Sequence, residues 1–187
     1  MTKADRISAF RNAVAACVED NSLKVTLIEK VLPWLKENEF FDAPASTRFH
    51  GAYPGGLFDH SYAVTKRLIE LTNNCKLKWE RKESPFIVGM FHDLCKFDCY
   101  VRTDEYEGDP IKYKHNESMV LEGHGAKSVM LLAQFFPLTE EEILCIRYHM
   151  GAYEKDDWNG FDKAIKRYET VLYTHTADQL ASKVDSI

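Results

Sequence analysis

Histidines and aspartates recur along the chain at intervals of roughly 30 residues, which is about the length of one helix and its connection. The set is His60, the doublet His92-Asp93, His124, His149 and Asp178. At this spacing each group can come from a different helix and still converge on one point. Imidazoles and carboxylates converging inside a helical bundle are the usual way to build a transition-metal site there. The pattern therefore predicts a site for one or two divalent ions of Mn, Fe, Co, Ni or Zn.

A charge count indicates what such a site would bind. The carboxylates of Asp93 and Asp178 neutralise one divalent ion, whereas a second ion held by His124 and His149 leaves a surplus of positive charge. Surplus positive charge in a closed cavity attracts phosphate. It also lowers the pKa of bound water toward neutrality, which provides a nucleophile at physiological pH. The set is therefore suited to the hydrolysis of a phosphate ester.

The elements that position these groups are predicted to be helices, apart from one hairpin. Apolar residues at helical spacing predict helices over 3–18, 21–38, 57–73, 85–96, 122–136, 139–150 and 162–183. Between the fourth and fifth helices, residues 100–103 and 111–114 alternate in strand fashion around a turn at 107–110, which predicts a short β-hairpin. We expect an all-α fold in a single domain over 1–187, with N-terminal helices over 1–40 and a metal-site core over 45–183.

Composition excludes several classes of function. The net charge of −5 argues against sequence-blind binding of long nucleic acid over the whole surface. No apolar run approaches the roughly 20 residues needed to span a bilayer, and the first residues lack the apolar region of a secretory signal. The five cysteines are odd in number and unpatterned, which is typical of a reducing compartment. We therefore expect a cytoplasmic protein without a membrane partner, in which Cys95 and Cys99 are buried thiols rather than a redox or metal pair.

The residues that flank the histidines and aspartates resemble those of a known family. The strings are FHGAYPGGLFDHS over 49–61, FHDLCK over 91–96, EGH over 122–124 and HTAD over 175–178. Together with the ordered ligand set they resemble the HD-domain superfamily of metal-dependent phosphohydrolases. They are similar in particular to the HD domain of bacterial 3′–5′ exoribonucleases, which carries a His-Asp-Ile-Gly-Lys string. The resemblance covers about residues 45 to 183 and implies an HD-domain helical bundle.

The resemblance also implies a role for each group. In such families the residues matching His60, His92, Asp93 and Asp178 bind one ion, and those matching His124 and His149 serve a second ion or the substrate phosphate. A lysine at the position of Lys96 faces the phosphate, and a cation three residues past a ligand is well placed to do so. The residues assigned to catalysis are Asp93, Lys96, His124 and His149. His50 and Arg102 are further candidate substrate contacts, with loop packing and a solvated strand face as their respective alternatives.

Two features depart from the exonuclease pattern. That pattern has a pair of histidines where this chain has His149-Met150, so a second ion loses one candidate ligand. The exonucleases also carry an N-terminal oligonucleotide-binding barrel, whereas residues 1–40 have the pattern of helices. Without the barrel, a nucleotide or short oligonucleotide is favoured over long RNA as the substrate.

These observations predict a metal-dependent phosphohydrolase that cleaves a nucleotide-like phosphomonoester or phosphodiester by attack of metal-bound hydroxide. Two alternatives remain. One is a 3′–5′ exonuclease acting on short single-stranded nucleic acid. The other is a non-catalytic sensor that binds a metal ion or a nucleotide, in which Met150 marks a degraded site.

Overall fold

The computed structural model of the protein describes residues 1–103, 112–121, 123–151 and 157–185. The α-helices, in chain order, are α1 (Lys3–Cys17), α2 (Asn21–Thr26), α3 (Leu32–Glu37), α4 (Gly56–Cys75), α5 (Ser84–Phe91), α6 (Gly125–Leu132), α7 (Glu140–Arg147), α8 (Trp158–Arg167) and α9 (Thr170–Gln179). The strands β1 (Tyr100–Arg102) and β2 (Tyr113–His115) form one antiparallel pair. The structure is thus mainly helical with a small two-stranded sheet, as the sequence predicted.

Helix α4 is the central element. Its interior-facing residues include Leu57, His60, Val64 and Leu68, which recur at helical spacing and are fully buried. It packs against α5 on one side and α9 on another, and α7 packs against both α5 and α9. Four of the predicted ligands are carried by α4, by the segment after α5 and by α9. The packing of α4 therefore brings them to one region of the interior.

The N-terminal helices cover an aromatic part of the core. Phe10 of α1 lies 6.1 to 6.2 Å, between ring centroids, from Phe41, Phe86 and Phe91. Edge-to-face and tilted contacts at this separation stabilise a core beyond the burial of apolar area alone. The contact with Phe91 ties α1 to the last residue of α5, immediately before the predicted ligand His92.

The predicted single helix over 21–38 is interrupted. Helix α2 is followed by a π-helical turn over Leu27–Val31, in which the N–H of Leu32 donates to the carbonyl of Leu27, and α3 then continues to Glu37. Pro33 explains the change, because proline has no N–H to donate and its ring clashes with the carbonyl of the preceding turn. A π turn removes that conflict without ending the helix.

Several predicted boundaries were wrong, and most of them matter for the site. Helix α5 ends at Phe91, and a 3₁₀ turn over Leu94–Asp98 follows, whereas the prediction was one helix over 85–96. Helix α6 begins at Gly125 rather than 122, and α7 ends at Arg147 rather than 150. Strand β2 pairs His115 with Tyr100, one residue beyond the predicted strand. The predicted turn at 107–110 and residue 122 lie outside the described residues.

The predicted helix over 162–183 is two helices. Asp157 caps the first turn of α8 by accepting from the N–H of Gly160, so this helix begins well before residue 162. Tyr168 then adopts an extended backbone, and its hydroxyl donates to carboxylates of Glu80 and Glu140. The chain turns there and α9 carries Asp178 into the interior. A π turn over Leu180–Val184 follows α9.

The described helices include none that is both long enough and apolar enough to cross a membrane.

A buried ion pair joins α1 to the first turn of α4. Arg6 donates from Nε and Nη2 to the two carboxylate oxygens of Asp59 at 2.9 and 2.8 Å, and the hydroxyl of Tyr53 donates to the same carboxylate at 3.2 Å. The side chains of Arg6 and Asp59 are only 7% and 11% exposed. Bidentate pairs of this kind fix orientation as well as position. Asp59 directly precedes His60, so the pair orients the start of the helix that carries this ligand.

We expect the substitution Asp59→Asn to lower the free energy of unfolding by about 2 kcal/mol, because it leaves the charge of Arg6 shielded from water and without its counter-charge. Urea denaturation monitored by circular dichroism measures the change. Lys82→Ala is the control, since its pair with Glu19 is 80% and 76% exposed and should contribute nothing measurable. Equal stability of Asp59→Asn and the natural protein would contradict this role of the pair.

Candidate metal centre

The predicted ligands lie mostly at helix ends. His60 lies within α4 and Asp178 in the last turn of α9. The others lie outside regular helix: His92 and Asp93 follow α5, His124 precedes α6 and His149 follows α7. Helix ends allow side chains to leave the helical path and turn toward a common point. The expectation that each group comes from a helix is corrected for these four residues, which lie in the segments beside one.

Two glycines allow the close approaches that bring these ends together. A Cβ on Gly89 of α5 would lie 2.6 Å from the Cα of Thr65, so α4 and α5 can pack this closely only with glycine at position 89. A Cβ on Gly125 would lie 2.5 Å from the carbonyl oxygens of Ile146 and Arg147. The start of α6 therefore packs directly against the end of α7. The first contact brings His60 to His92, and the second brings the residues that flank α6 and α7 together.

One group of three ligand atoms surrounds a common point. His60 Nε2 lies 3.0 Å from Asp178 Oδ1 and 3.3 Å from His92 Nε2, and His92 Nε2 lies 3.9 Å from the same oxygen of Asp178. All three residues are buried, and the geometry of the group allows it to hold a metal ion. Ligand atoms that share one ion at about 2.0–2.2 Å are separated by distances of this order.

Asp93 lies between this group and the two remaining histidines. Its Oδ2 is 3.4 Å from His92 Nε2 and 3.6 Å from His60 Nε2. Its Oδ1 is 3.3 Å from the Nε2 atoms of both His124 and His149. The carboxylate thus directs one oxygen toward each set of imidazoles, which is the arrangement required of a group that bridges two ions. All six predicted ligands are therefore brought together.

Backbone carbonyls determine which nitrogen of two imidazoles faces Asp93. His92 Nδ1 lies 2.8 Å from the carbonyl of Gly89, and His149 Nδ1 lies 2.7 Å from the carbonyl of Ile146. A carbonyl only accepts, so Nδ1 carries the proton in both rings. The neutral form of each ring then directs the lone pair of its Nε2 toward the carboxylate of Asp93. Such an arrangement of acceptors needs a cation or a proton among them.

Hydrogen bonds of good geometry among the described residues do not supply that cation or proton. Among the described residues, neither Asp93 Oδ1 nor His149 Nε2 meets a hydrogen-bond partner with good geometry, although both atoms are buried. Buried polar atoms without partners are rare in native structures and each requires an explanation. A divalent ion accepts lone pairs from both atoms, so the residues present fit a metal ion.

The ionisation states are also those that a metal ion requires. Burial raises the pKa of Asp93, but the charge of Lys96 and the neighbouring imidazoles outweigh it and hold this pKa well below its usual value. Burial likewise opposes ionisation of Asp178, yet the hydrogen bond with His60 and the nearby imidazoles lower its pKa. Burial lowers the pKa of His92, so this ring stays neutral. Ionised carboxylates and neutral imidazoles are the forms that bind metals.

The pKa of His149 shifts in the opposite direction to that of His92. Burial lowers the pKa of His149, but the carboxylate of Asp93, 3.3 Å away, outweighs burial, so the pKa is raised. In its protonated form this ring balances the charge of Asp93. An ion that binds His149 must displace that proton, so affinity for metal should fall as the pH is lowered.

Lys96 is bound to the carboxylate at the centre. Its Nζ donates to Asp93 Oδ2 at 2.7 Å, and the residue is only 6% exposed. Burial lowers the pKa of Lys96, but the charge of Asp93 outweighs it and the pKa is raised, so the ammonium form is retained. A fixed cation therefore lies beside the ligands.

The two further predicted contacts differ in position. The ring of His50 lies 4.8 Å from the ring of His60, between centroids, and burial lowers the pKa of His50 to about 4. His50 is therefore a neutral part of the site wall. Arg102 instead lies exposed on β1, paired across the sheet with Tyr113, and the structure does not bring it to the ligands.

A cationic groove lies between the loop that carries His50 and strand β2. It has a volume of about 640 Å³. Its described lining residues are Thr47, Arg48, Ala52, Lys112, Tyr113, Lys114 and His115, none of which is acidic. Three formal positive charges are therefore concentrated here on a chain whose net charge is −5. The groove favours an anionic ligand.

One further group that could contribute a ligand atom lies near the site. The thiol of Cys95 lies within 4.8 Å of ligand atoms of both Asp93 and His124. Cys95 had been interpreted as a buried core thiol, and it is indeed fully buried. The sequence does mark this position, because Cys95 stands where the His-Asp-Ile-Gly-Lys string of the HD-domain exoribonucleases has glycine.

Comparisons of the chain with models of protein families, with curated proteins and with solved structures give no significant match.

We expect Gly89→Ala to separate α4 from α5, since the added Cβ meets backbone rather than a flexible side chain. Stability should fall by about 2 kcal/mol, and affinity for a divalent ion should fall about tenfold because His60 and His92 move apart. Urea denaturation and a calorimetric metal titration measure the two effects.

Phe86→Leu is the matched control for this prediction. Phe86 packs in the aromatic core against Phe10 and Phe91, so its substitution should reduce stability without changing metal affinity. Unchanged metal affinity in Gly89→Ala would show that the close approach of the two helices does not set the site.

Proposed function

We propose that this protein is a metal-dependent phosphohydrolase that acts on a nucleotide-like phosphomonoester or phosphodiester, and that residues 45–183 form an HD-type domain. The observation that carries the proposal is the arrangement around Asp93, where imidazole lone pairs face a buried carboxylate from two sides. The ordered motifs FHDLCK and HTAD support the same assignment through their resemblance to HD-domain phosphohydrolases.

The ligands divide into two sets that share Asp93. One ion would be held by His60, His92, Asp93 and Asp178, and a second by Asp93, His124 and His149. When bound, a divalent ion supplies positive charge that stabilises a phosphoryl oxygen and lowers the pKa of a water molecule. The shared carboxylate fixes the separation of the two sets.

Lys96 supports the same chemistry from the protein side. Its ammonium is fixed by Asp93 at 2.7 Å and is held in the charged form, so it adds a positive charge that does not depend on side-chain rearrangement. Preorganised charges of this kind stabilise the negative charge that develops on a phosphate in the transition state. Lys96 would therefore stabilise substrate oxygens, as the resemblance implies.

The burial of the ligands indicates the direction of access. His60, His92 and His149 are fully buried, whereas the side chain of His124 is 29% exposed. The proposed approach of a phosphate to the centre is therefore beside His124, at the start of α6. The interior ligands remain shielded from water, which strengthens their electrostatic interactions with a bound charge.

The cationic groove supports a substrate with more than one anionic group. It is lined by the loop of His50, which packs against His60 with its ring, and by strand β2. A substrate phosphate at the metal centre and a second phosphate at Arg48, Lys112 or Lys114 would suit a nucleotide or short oligonucleotide. Both a nucleotidase and an exonuclease would use the groove in this way.

We expect Asp93→Asn to abolish both ion binding and hydrolysis, because the bridging charge is lost. Lys96→Met should retain the ions but lower kcat by about 100-fold, since a charge that stabilises the transition state is removed. Metal analysis of the purified protein and a screen of phosphoesters with Mn²⁺, Fe²⁺, Co²⁺, Ni²⁺ and Zn²⁺ measure these outcomes.

Lys66→Met is the control, because Lys66 is exposed on α4 over the ring of Tyr62 and away from the ligands. Full hydrolysis by Asp93→Asn would rule out the proposed role of the site. Ion binding without turnover of any phosphoester would favour the sensor instead.

Removal of the groove charges should weaken the binding of substrates with several phosphates without changing the rate of hydrolysis at the metal centre. In the double variant Arg48→Ala, Lys114→Ala we expect KM for a short oligonucleotide or nucleoside polyphosphate to rise about tenfold, with kcat/KM for a small aryl phosphate unchanged. Gel analysis of end-labelled oligomers distinguishes the two activities, since a ladder indicates an exonuclease and phosphate release from free nucleotides alone indicates a nucleotidase. Identical KM values for the variant and the natural protein would exclude the groove from substrate binding.

A further inference from the structure

Cys95 occupies a position in the site that the proposed roles of the histidines and aspartates do not use. It lies two residues after Asp93, in the 3₁₀ turn over Leu94–Asp98, and its side chain is completely buried. The backbone N–H of Cys95 donates to the hydroxyl of Ser128 in α6 at 3.0 Å. This hydrogen bond holds the turn against α6, the helix that begins directly after His124.

The thiol is close to two of the ligands. The sulfur of Cys95, a carboxylate oxygen of Asp93 and a ring nitrogen of His124 all lie within 4.8 Å of one another. Asp93 contributes an independent sign of a ligand, because its Oδ1 is buried and lacks a hydrogen-bond partner among the described residues. That oxygen lies 3.3 Å from His124 Nε2. Sulfur, nitrogen and oxygen thus face one small volume.

We propose that Cys95 is a thiolate ligand of the second metal ion, together with Asp93 and His124. This inference rests on the proposed metal centre and specifies its composition. On coordination the thiol proton passes to solvent, and the sulfur lone pair forms the bond to the ion. The thiolate would supply a further ligand to the ion that, by the resemblance, loses one because Met150 stands in place of the second histidine of the exonuclease pattern.

The neighbouring thiol does not compete for this role. Cys99 Sγ donates to the carbonyl of Cys95 at 3.1 Å and lies 3.6 Å from the sulfur of Met119. It belongs to none of the described groups of ligand atoms that could hold an ion. The two cysteines are therefore unequal, and only Cys95 faces the carboxylate of Asp93.

A thiolate ligand has consequences for the identity of the metal. Sulfur is a soft ligand that favours Zn²⁺, Fe²⁺ or Co²⁺ over Mg²⁺ and Ca²⁺, which prefer oxygen. Its negative charge also reduces the positive charge that two ions and two carboxylates would leave in the cavity. The second ion is therefore expected to be a transition metal retained in the presence of excess Mg²⁺.

Titration of the reduced protein with Co²⁺ tests the proposal. A thiolate bound to Co²⁺ gives a charge-transfer absorption band in the near ultraviolet, which nitrogen and oxygen ligands do not give. We expect this band in the natural protein, its loss in Cys95→Ser and Cys95→Ala, and a fall of at least about tenfold in affinity for one of two equivalents of Co²⁺. Cys145→Ser is the control, because Cys145 is an equally buried thiol beside the hydroxyl of Thr170, in none of the groups of ligand atoms.

The outcomes separate this inference from the proposed function. Binding of Co²⁺ with hydrolysis but without the band in the natural protein would overturn the role of Cys95 and leave the phosphohydrolase intact. A band that persists in both Cys95 variants would also overturn it. Absence of any Co²⁺ binding would overturn both. Absence of the band in the natural protein overturns the inference whether or not the variants fold, and circular dichroism of the two variants shows that loss of the band is not loss of the fold.

Discussion

The carboxylate of Asp93 is the constraint on which the interior is organised. It is 1% exposed and ionised, and an isolated charge in such a position would cost more free energy than a small domain has to spare. Lys96 balances it directly, while His92, His124 and His149 surround its two oxygens. These groups belong to segments far apart in the sequence. The requirement to surround one buried charge therefore determines how α5, α6 and α7 end or begin around α4.

Helix ends meet this requirement because their backbone is incompletely bonded. The last turns of a helix leave carbonyls without an intrahelical partner. The carbonyl of Gly89 near the end of α5 accepts from His92, and that of Ile146 near the end of α7 accepts from His149, in both cases three residues along. The same bond satisfies a carbonyl, fixes the protonated nitrogen of the ring and directs the other nitrogen inward. Helices α5 and α7 thus use the same kind of hydrogen bond to orient a histidine ring toward the site.

The sequence was sufficient to predict which residues converge and that the fold is mainly helical, but not to predict the local geometry. Residue type and spacing predicted that six groups would converge, and they do. Periodicity did not show that α7 ends at Arg147, because His149 continues the apolar pattern beyond the last helical bond. Periodicity also predicted one helix over 162–183 in place of α8 and α9. The break at Tyr168 depends on contacts with Glu80 and Glu140 from distant segments. The burial of Cys95 was predicted, but its position beside Asp93 and His124 was not, because burial looks alike in sequence whether a thiol packs in a core or faces another polar group.

An arrangement of this kind couples ion binding to the folded state. The ligands come from α4, α9 and the segments beside α5, α6 and α7, so the unfolded chain cannot present them together. An ion that binds only the folded protein stabilises it by about 4 kcal/mol when present at 1,000 times its Kd, which is a large part of the stability of an ordinary domain. The ammonium of Lys96 and the protonated form of His149 both oppose the charge of Asp93. Of these two cations His149 is the one that offers a ligand atom, so a proton and an ion compete for its Nε2 while Lys96 keeps its charge.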